Sequence, residues 1–179
     1  MNRVRPCGDQ EFASILDIIN AAAQAYRGAI PLDHWHEPYM SDPELRRDMA
    51  AGVEFWGCEI DDTLVGVMGM QRKHDADLIR HAYVLPGHQR HGVGGILIEH
   101  LRQQSDRRML VGTWADATWA INFYQRNGFD LIASQKRKVE LLKGYWTISD
   151  RQIEASVVLN RKEFVGTPRF ELGTPRASS

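Results

Sequence analysis

A glycine-rich turn is the part of this sequence with the clearest chemical meaning. Its residues are Gln89, Arg90, His91, Gly92, Val93, Gly94 and Gly95. They stand between an apolar, β-branched run and a segment whose apolar residues recur at helical spacing. The first N–H groups of a helix have no partner within the helix, and the helix dipole adds partial positive charge there, so the turn could bind an anion. Glycine would allow a phosphate to approach the backbone closely.

Two common phosphate-binding loops fit this turn poorly. A Walker A loop requires Gly-Lys-Ser/Thr, and His91-Gly92-Val93 provides neither a lysine nor a hydroxyl. A dinucleotide loop of the form G-x-G-x-x-G would begin at Gly92 and place its third glycine at Leu97. The sequence therefore disfavours a nucleoside triphosphate or a dinucleotide, and a tight strand-to-helix connection without a ligand is the alternative.

The turn also satisfies the pattern Gln/Arg-x-x-Gly-x-Gly/Ala through Gln89, Gly92 and Gly94. In this respect the sequence resembles the GNAT superfamily of acetyl-CoA-dependent N-acyltransferases, in which this loop holds the coenzyme A pyrophosphate. The resemblance implies that the end of the preceding strand polarises the thioester carbonyl through backbone N–H groups. The coenzyme contacts that it implies are Tyr83, Val84, Leu85, Gln89, Arg90, His91, Gly92, Val93, Gly94 and Gly95.

A second segment supports the same resemblance. Ala120, Phe123, Tyr124, Gly128 and Phe129 match the family signature Ala-x-x-Phe-Tyr-x-x-x-Gly-Phe. The resemblance implies that Tyr124 contacts the coenzyme and protonates the departing thiolate, a role that suits a phenol with an unperturbed pKa near 10. The alternative is that the two adjacent aromatic residues only fill the helix core.

The sequence departs from the family pattern in one place. Many members carry an asparagine three residues before the alanine of the signature, and this chain has Ala117 there. Asn122 lies elsewhere on the same helix and is retained among the expected coenzyme contacts. The usual side-chain contact to the pantetheine arm is therefore in question.

An amine must lose a proton to attack a thioester, so a base is expected near the central strand. Strand alternation predicts one face with Leu78, Arg80, Ala82 and Val84, and the other with Ile79, His81 and Tyr83. The catalytic positions usual in the family fall on Leu78 and Arg80, neither of which is a normal base. Arg80 could bind an acidic group of the acceptor or form an internal salt bridge. His81 is a candidate base only if a β-bulge redirects it.

The loop after the first predicted helix contains His34-Trp35-His36-Glu37. Two histidines without a third ligand at a recognisable spacing do not predict a zinc site, and no metal is expected. Because the family commonly shapes its acceptor pocket with this loop, the residues expected to contact the acceptor are Trp35, His36, Glu37, Tyr39 and Arg80. Trp114 and Trp119 are expected in the core, with a pocket wall as the alternative.

Hydrophobic periodicity and turn signals place these residues on defined elements. Predicted strands cover residues 2–6, 53–60, 63–71, 77–85, 109–114, 129–133 and 153–159. Helices are predicted over 12–26, after a capping box at Ser41, from Val93, and over 117–126 with Gly128 as the C-terminal stop. This order is that of the GNAT fold, an α/β architecture with a central mixed, twisted sheet of six to seven strands, a splayed parallel pair and about four helices.

Composition limits the remaining functions. The 179 residues include 22 basic and 23 acidic side chains, for a net charge of -1, and two cysteines. No basic run indicates nucleic acid or membrane binding, no apolar run approaches the ~18 residues of a membrane span, and the N-terminus lacks an apolar signal core. A cytoplasmic protein with a small-molecule or peptide amine as partner is expected, and a homodimer is compatible with the sequence.

The C-terminal segment differs in composition from the rest. The tetrapeptide Gly-Thr-Pro-Arg occurs twice, at residues 166–169 and 173–176, and its prolines disfavour a strand or a helix. The predicted organisation is therefore a GNAT domain over residues 1–162 and a flexible tail over residues 163–179.

The function predicted from the sequence is acetyl-CoA-dependent transfer of an acetyl group directly to a primary amine, without an acyl-enzyme. The acceptor is not identified. A catalytically silent acyl-CoA-binding or sensing module is the first alternative, favoured by the absence of an obvious base and by Ala117. A structural nucleotide-binding protein is the second.

Overall fold

Seven strands form where the apolar and β-branched runs occur. In this computed structural model, which describes residues 1–162, they are β1 (Asn2–Pro6), β2 (Val53–Ile60), β3 (Thr63–Lys73), β4 (Ala76–Val84), β5 (Arg108–Trp114), β6 (Phe129–Leu131) and β7 (Ser156–Arg161). They make one sheet in the order β1-β2-β3-β4-β5-β7-β6. Neighbouring strands are antiparallel except β4 and β5, which run parallel. The predicted mixed sheet with one parallel pair is confirmed.

Six α-helices flank this sheet. They are α1 (Phe12–Ala23), α2 (Asp42–Ala50), α3 (Val93–Gln103), α4 (Thr118–Arg126), α5 (Gln135–Tyr145) and α6 (Asp150–Glu154). The predicted capping box begins α2: the Glu44 N–H donates to Ser41 Oγ at 3.4 Å, and the Ser41 N–H donates to the Glu44 carboxylate at 2.8 Å. Gly128 has φ +86° and ends α4 in the left-handed conformation, as predicted.

The two faces of the sheet carry separate hydrophobic clusters. Helices α3 and α4 cover one face, where Leu97 and Leu101 pack on Ile79 and Val111. Helices α1 and α2 cover the other face through residues such as Ile15, and α5 and α6 extend the same layer. The arrangement places α4 and the last turn of α2 on opposite sides of β4.

The parallel strands β4 and β5 separate after a short paired stretch. Ala76 to Ile79 pair with Arg108 to Val111, and pairing then stops although β4 continues to Val84 and β5 to Trp114. The second half of β4 pairs only with β3 among the described strands. A gap therefore opens within the sheet, bordered by residues 80–84 of β4 and 112–114 of β5.

A β-bulge interrupts β4 beside this gap. Val67 of β3 pairs with Tyr83 and Gly69 pairs with Arg80, so two β4 residues oppose one β3 residue, and His81 has φ +53°. The extra residue reverses the alternation, so the expectation that Leu78, Arg80, Ala82 and Val84 share one face is wrong. Ala82 and Val84 join the α3–α4 cluster, whereas Leu78 packs under α5. Arg80 and His81 both reach Asp48 of α2, which regular alternation would not allow.

Two helices were not predicted from the sequence. Residues 135–145 form α5, and residues 150–154 form α6 where the start of a strand was expected, so six helices replace the predicted four. The apolar face of α5 is narrow, with Leu141 and Leu142 buried among mostly charged residues. The signals that could have revealed both helices are their N-cap serines, since Ser134 and Ser149 accept from the backbone N–H three residues later at 3.2 Å.

The predicted tail, residues 163–179, lies outside the described residues. Among the helices of residues 1–162, none is both long and apolar enough to cross a membrane.

Candidate active site

A cleft of about 620 Å³ opens beside the gap in the sheet, between the first turn of α3 and helix α4; we call it the α3–α4 cleft. The end of β4 forms its floor, and the segment after α1 forms its far wall. The side chains with formal or potential positive charge in its lining are His88, Arg90 and Arg126, and no carboxylate among the described residues lines it. Such a surface favours a ligand with several negative charges.

The glycine-rich turn forms one wall of this cleft. Arg90 and Gly92 have φ +65° and +79°, and Gly92 is the N-cap of α3. The Gly92 carbonyl accepts from the Ile96 N–H at 3.0 Å, so the N–H groups of the three residues between them start the helix without intrahelical partners. Gly94 packs against the Phe123 ring, where an added Cβ would lie 3.0 Å from ring carbon Cε2. These features fit the anion cradle predicted from the sequence.

A hydrogen bond connects the glycine-rich turn to the end of β4. The Gln89 side-chain amide donates to the Val84 carbonyl at 3.0 Å. The Leu85 N–H donates to the Val65 carbonyl of β3 at 2.8 Å, and because backbone groups alternate along a strand, the Val84 N–H points the other way, into the gap. One backbone donor is thereby available where the cleft meets the gap.

Tyr124 lies at the inner end of the cleft. Its ring packs edge-on against Phe123 at 5.1 Å and Phe129 at 5.9 Å between centroids, and its side chain is buried. Its hydroxyl forms no hydrogen bond within residues 1–162. Burial, reinforced by the nearby Tyr26, raises the pKa of the Tyr124 phenol well above its usual value. The group is therefore a proton donor throughout the neutral range.

A second cavity, of about 190 Å³, opens from the gap; we call it the β4–β5 cavity. Residues of α4, β4 and β5 line it together with Tyr39 and with the segment that joins α5 to α6. The residues that line both cavities are Tyr26, Ala82, Tyr83 and Tyr124. The separation of β4 from β5 therefore lets the two cavities meet within the sheet.

Three tyrosines from different elements meet at this junction. Tyr83 lies 6.0 Å from Tyr26 and 6.3 Å from Tyr39 between ring centroids, both in edge-on geometry. Burial raises the pKa of Tyr26 to about 12 and that of Tyr83 well above its usual value. The phenols of Tyr26 and Tyr83 therefore remain neutral at physiological pH, and the three rings provide a flat, weakly polar wall.

The bulged strand presents two cationic or basic side chains to the β4–β5 cavity, Arg80 and His81. His81 Nε2 lies 2.7 Å from Asp48 Oδ2, and its ring stacks on Phe55 at 6.0 Å. Burial raises the pKa of Asp48, but the hydrogen bond from His81 and the charges of His81 and Arg80 outweigh burial and hold that pKa below its ordinary value. Asp48 is thus a carboxylate that fixes the orientation of the imidazole.

Some of the residues predicted for the acceptor loop lie behind the cavity wall. Tyr39 lines the β4–β5 cavity, whereas Trp35 stacks on Tyr39 at 5.8 Å and His36 stacks on it at 6.4 Å. The His36 ring also contacts the Pro38 carbonyl at 2.8 Å, and the closest polar contact of Glu37 is with the Gln24 amide at 3.5 Å. Trp35 and His36 therefore support Tyr39 in this conformation.

Most of the predicted coenzyme contacts are brought together. The α3–α4 cleft is lined by Tyr83, Val84, Gln89, Arg90, Gly92, Val93, Gly94, Gly95 and Tyr124. Leu85, His91 and Asn122 are absent from its lining, and Asn122 is exposed on the outer side of α4.

Sequence reasoning missed several residues that line the cavities. Tyr26 follows the apolar face of α1, so periodicity could assign it only to the core. Trp119 was expected in the core, but its side chain is 44% exposed and lies 5.3 Å from the Tyr26 ring at the cleft. Arg126 stands inside the second motif, and its position two residues before Gly128 was the available signal. Trp146 and Gln152 belong to the segments whose helices were not predicted.

No group of three or more His, Cys, Asp or Glu side chains suitable for a metal ion occurs within residues 1–162. The histidines of the 34–37 loop are engaged with aromatic rings: His34 lies 5.8 Å from Trp114, and His36 stacks on Tyr39.

A sheet with a splayed parallel pair, and an anion-binding loop at the start of the helix beside the gap, define the acetyltransferase architecture of the GNAT type. The family model "Acetyltransferase (GNAT) domain" matches residues 51–131, which include the glycine-rich turn and both strands of the gap. Residues 51–131 therefore match a GNAT acetyltransferase domain, and the described residues have the GNAT fold. No curated protein matches it in sequence.

Solved structures share the fold at low sequence identity. The chain is similar to the PaiA N-acetyltransferase of Thermoplasma acidophilum in complex with coenzyme A, at 14% identity and a TM-score of 0.66, over 91% of this chain and 99% of that one. The ribosomal-protein-S18-alanine N-acetyltransferase of Escherichia coli is 15% identical with a TM-score of 0.63, and the match covers 90% of this chain and 93% of that one. A GNAT family acetyltransferase of Elizabethkingia anophelis with acetyl-CoA bound is 15% identical with a TM-score of 0.58, and the match covers 90% of this chain and 98% of that one.

Proposed function

We propose that this protein is an acetyl-CoA-dependent N-acetyltransferase that moves an acetyl group directly to a primary amine. The observation that carries the proposal is that the α3–α4 cleft and the β4–β5 cavity meet at Tyr26, Ala82, Tyr83 and Tyr124. A thioester bound from one side can reach an amine bound from the other at this junction. Two of the similar structures, those of T. acidophilum and E. anophelis, contain coenzyme A and acetyl-CoA.

The α3–α4 cleft has the chemistry to hold coenzyme A. The free N–H groups at the start of α3 suit its pyrophosphate, and Arg90 and Arg126 add positive charge. The open side of Gly92, where an added Cβ would meet nothing within 4 Å, leaves room for close approach of a phosphate. When bound, acetyl-CoA supplies the activated acetyl thioester.

Three groups of the chain carry the transfer in this proposal. The Val84 N–H donates to the thioester carbonyl oxygen and stabilises the negative charge that develops there. His81 takes the proton that the amine loses as its nitrogen bonds to the acetyl carbon, either directly or through a water molecule. Tyr124 gives its proton to the sulfur as the carbon–sulfur bond breaks.

The hydrogen-bond pattern suits His81 for this task. In the neutral form of the imidazole, the Asp48 acceptor places the hydrogen of His81 on Nε2, so Nδ1 has the lone pair that can take a proton. Nδ1 forms no hydrogen bond within the described part of the chain. The pair supports His81 as the base, because the bulge turns His81 to the same side as Arg80.

Binding and turnover together test the proposal. Isothermal titration should give micromolar affinity for coenzyme A and acetyl-CoA and much weaker binding of ATP. Thiol release with acetyl-CoA and a panel of amino acids, polyamines, aminoglycosides and peptide N-termini should then rise above the rate without amine, and mass spectrometry should find the product 42 Da heavier, roughly the mass of an added acetyl group less one proton.

The outcomes distinguish the alternatives. Tight ATP binding without coenzyme A binding would support the nucleotide-binding alternative and end the proposal. Coenzyme A binding without acetyl transfer to any amine of the panel would favour a silent acyl-CoA-binding module.

A further inference from the structure

The β4–β5 cavity is small. Its volume of about 190 Å³ lies below the roughly 300 Å³ at which pockets for drug-sized ligands begin. An acceptor that reaches the junction with the α3–α4 cleft must therefore be a small molecule or the end of a larger one. This size disfavours an aminoglycoside ring system inside the cavity.

Aromatic rings form a large part of its wall. Tyr26, Tyr39 and Tyr83 come from one side, and Trp114 and Trp146 come from β5 and the end of α5. Such rings bind a flat or apolar group through area burial and edge-on contacts. The acceptor should carry an aromatic or similarly flat side chain.

The charged groups in the lining are of one sign. Apart from the tyrosines, Arg80 and His81 are its titratable or charged side chains, and no carboxylate of residues 1–162 lines it. Asp48 lies behind them and already accepts the hydrogen bond from His81. A polyamine would find no partner for its second ammonium group here, whereas an anionic group would find one.

A hydrogen bond fixes the Arg80 guanidinium, and several of its N–H donors remain available. Its Nη1 donates to Gln71 Oε1 at 2.9 Å, and Gln71, only 4% exposed, is itself fixed by donation from Nε2 to the Ala51 carbonyl at 3.0 Å. The Asp48 carboxylate lies 3.6 Å from Nη2, beyond hydrogen-bond distance. A guanidinium has five N–H donors in a planar fork, so Arg80 can bind a carboxylate through two of them.

We infer that the acceptor is a free α-amino acid with an aromatic or similarly flat side chain, whose carboxylate binds Arg80. This inference rests on the proposed acetyltransferase function and gives it a substrate class. The amino nitrogen forms the amide bond and loses one proton, the thioester bond breaks, and the products are an N-acetyl amino acid and the free thiol. A peptide N-terminus lacks the α-carboxylate beside its amine, so peptides are poor acceptors.

Three probes that share the phenethylamine skeleton isolate the carboxylate. With the wild-type protein and acetyl-CoA, kcat/KM for L-phenylalanine should exceed that for L-phenylalaninamide and that for phenethylamine by about tenfold or more, the effect expected of hydrogen bonds to a charged group. Spermidine should be poorer still. In Arg80→Gln the preference for L-phenylalanine over L-phenylalaninamide should fall to near unity, and Arg80→Lys should retain part of it.

Arg137→Gln provides the matched control, because Arg137 is an exposed residue of α5 that faces Glu140. It should leave the preference unchanged. Circular dichroism melting should verify that both Arg80 variants are folded.

A binding measurement makes the test independent of turnover. In the presence of coenzyme A, N-acetyl-L-phenylalanine should bind the wild-type protein about tenfold or more tightly than N-acetyl-L-phenylalaninamide, and the difference should vanish in Arg80→Gln. Equal binding of the two products, or no binding of either, would overturn the inference even if other amines are acetylated. Failure to bind coenzyme A or to acetylate any amine would instead count against the proposed function.

Discussion

His81 and Asp48 lie in hydrogen-bond contact, with 2.7 Å between Nε2 and Oδ2, and so join the bulge of β4 to the last turn of α2. The contact is possible because His81 adopts φ +53°, a left-handed conformation that histidine tolerates better than most residues. The same pair supplies both a candidate base and a link between two elements. Its two members can be tested separately.

Replacing His81 tests the base. His81→Asn should lower kcat by about 100-fold, the lower end of what general-base catalysis contributes, while the affinity for coenzyme A stays within about twofold. Asparagine suits the left-handed backbone and cannot take up a proton at neutral pH. The control is His74→Asn, because His74 is exposed and also has positive φ. An unchanged kcat in His81→Asn would remove His81 from the mechanism.

Replacing Asp48 tests the contact between Asp48 and His81 through the pH dependence of the free energy of unfolding. The folded-state pKa of Asp48 lies below the unfolded value of about 3.9, so the ionised carboxylate stabilises the fold at neutral pH. That stabilisation is lost as the pH falls through the folded-state pKa. Asp48→Asn should therefore lower the free energy of unfolding at pH 7 by about 1–2 kcal/mol, and the difference from wild type should shrink below about pH 4.

Urea unfolding at pH 7, 5 and 3 measures this difference. Asp62→Asn is the control, since Asp62 is an exposed hairpin residue at positive φ, where asparagine is also suited. A difference between Asp48→Asn and wild type that is equally large at pH 7 and pH 3 would argue against the ionised Asp48 carboxylate as its source.

Replacing Tyr124 tests the acid. Tyr124→Phe keeps the ring against Phe123 and Phe129 but removes the proton, so kcat should fall by about 100-fold with little change in coenzyme A affinity. Because burial raises the pKa of Tyr124 above its usual value of about 10, the wild-type rate should show no loss from ionisation of this phenol up to about pH 10.

Steady-state thiol release over a pH series checks both statements. Tyr145→Phe is the matched control, since the Tyr145 hydroxyl donates a hydrogen bond to the Asp75 carboxylate and Tyr145 lines neither cavity. If Tyr124→Phe kept the wild-type kcat, the sulfur would be protonated by solvent, and Tyr124 would not be the acid.

Replacing Gly92 tests the cradle. Gly92→Ala has space for its methyl group, but φ +79° costs an L-residue about 1–2 kcal/mol, so the unfolding free energy should fall by about 1 kcal/mol. Strain at the N-cap misaligns the free N–H groups, and titration should show an affinity for coenzyme A that is weaker by about tenfold. Gly87→Ala, in the same loop without positive φ or close neighbours, should affect neither quantity.

Several elements were predictable because their causes are local. The capping box at Ser41, the hairpin around Asp61 and Asp62, and the stop at Gly128 each depend on residues within one turn of each other. Helices α5 and α6 escaped prediction because few of their residues are buried, and packing against β7 rather than a broad apolar face stabilises them.

The acceptor side was harder to predict than the coenzyme side. The glycine-rich turn and the Tyr124 motif are each contiguous in sequence, so their spacing alone reveals them. Tyr26, Tyr39, Trp114 and Trp146 line one cavity from four separate segments, and nothing in their spacing connects them.

The sequence by itself determined the resemblance to GNAT proteins, the order of most elements and the loop suited to a pyrophosphate, because each depends on short-range patterns of glycine and apolar residues. The tertiary structure decided where Arg80 and His81 point, which residues enclose the smaller cavity and how the two cavities meet. One extra residue in β4 reverses every side chain beyond it, and strand alternation cannot show where that residue lies. Only the pairing of β4 with β3 shows that the bulge is at His81 and brings Arg80 and His81 together at Asp48.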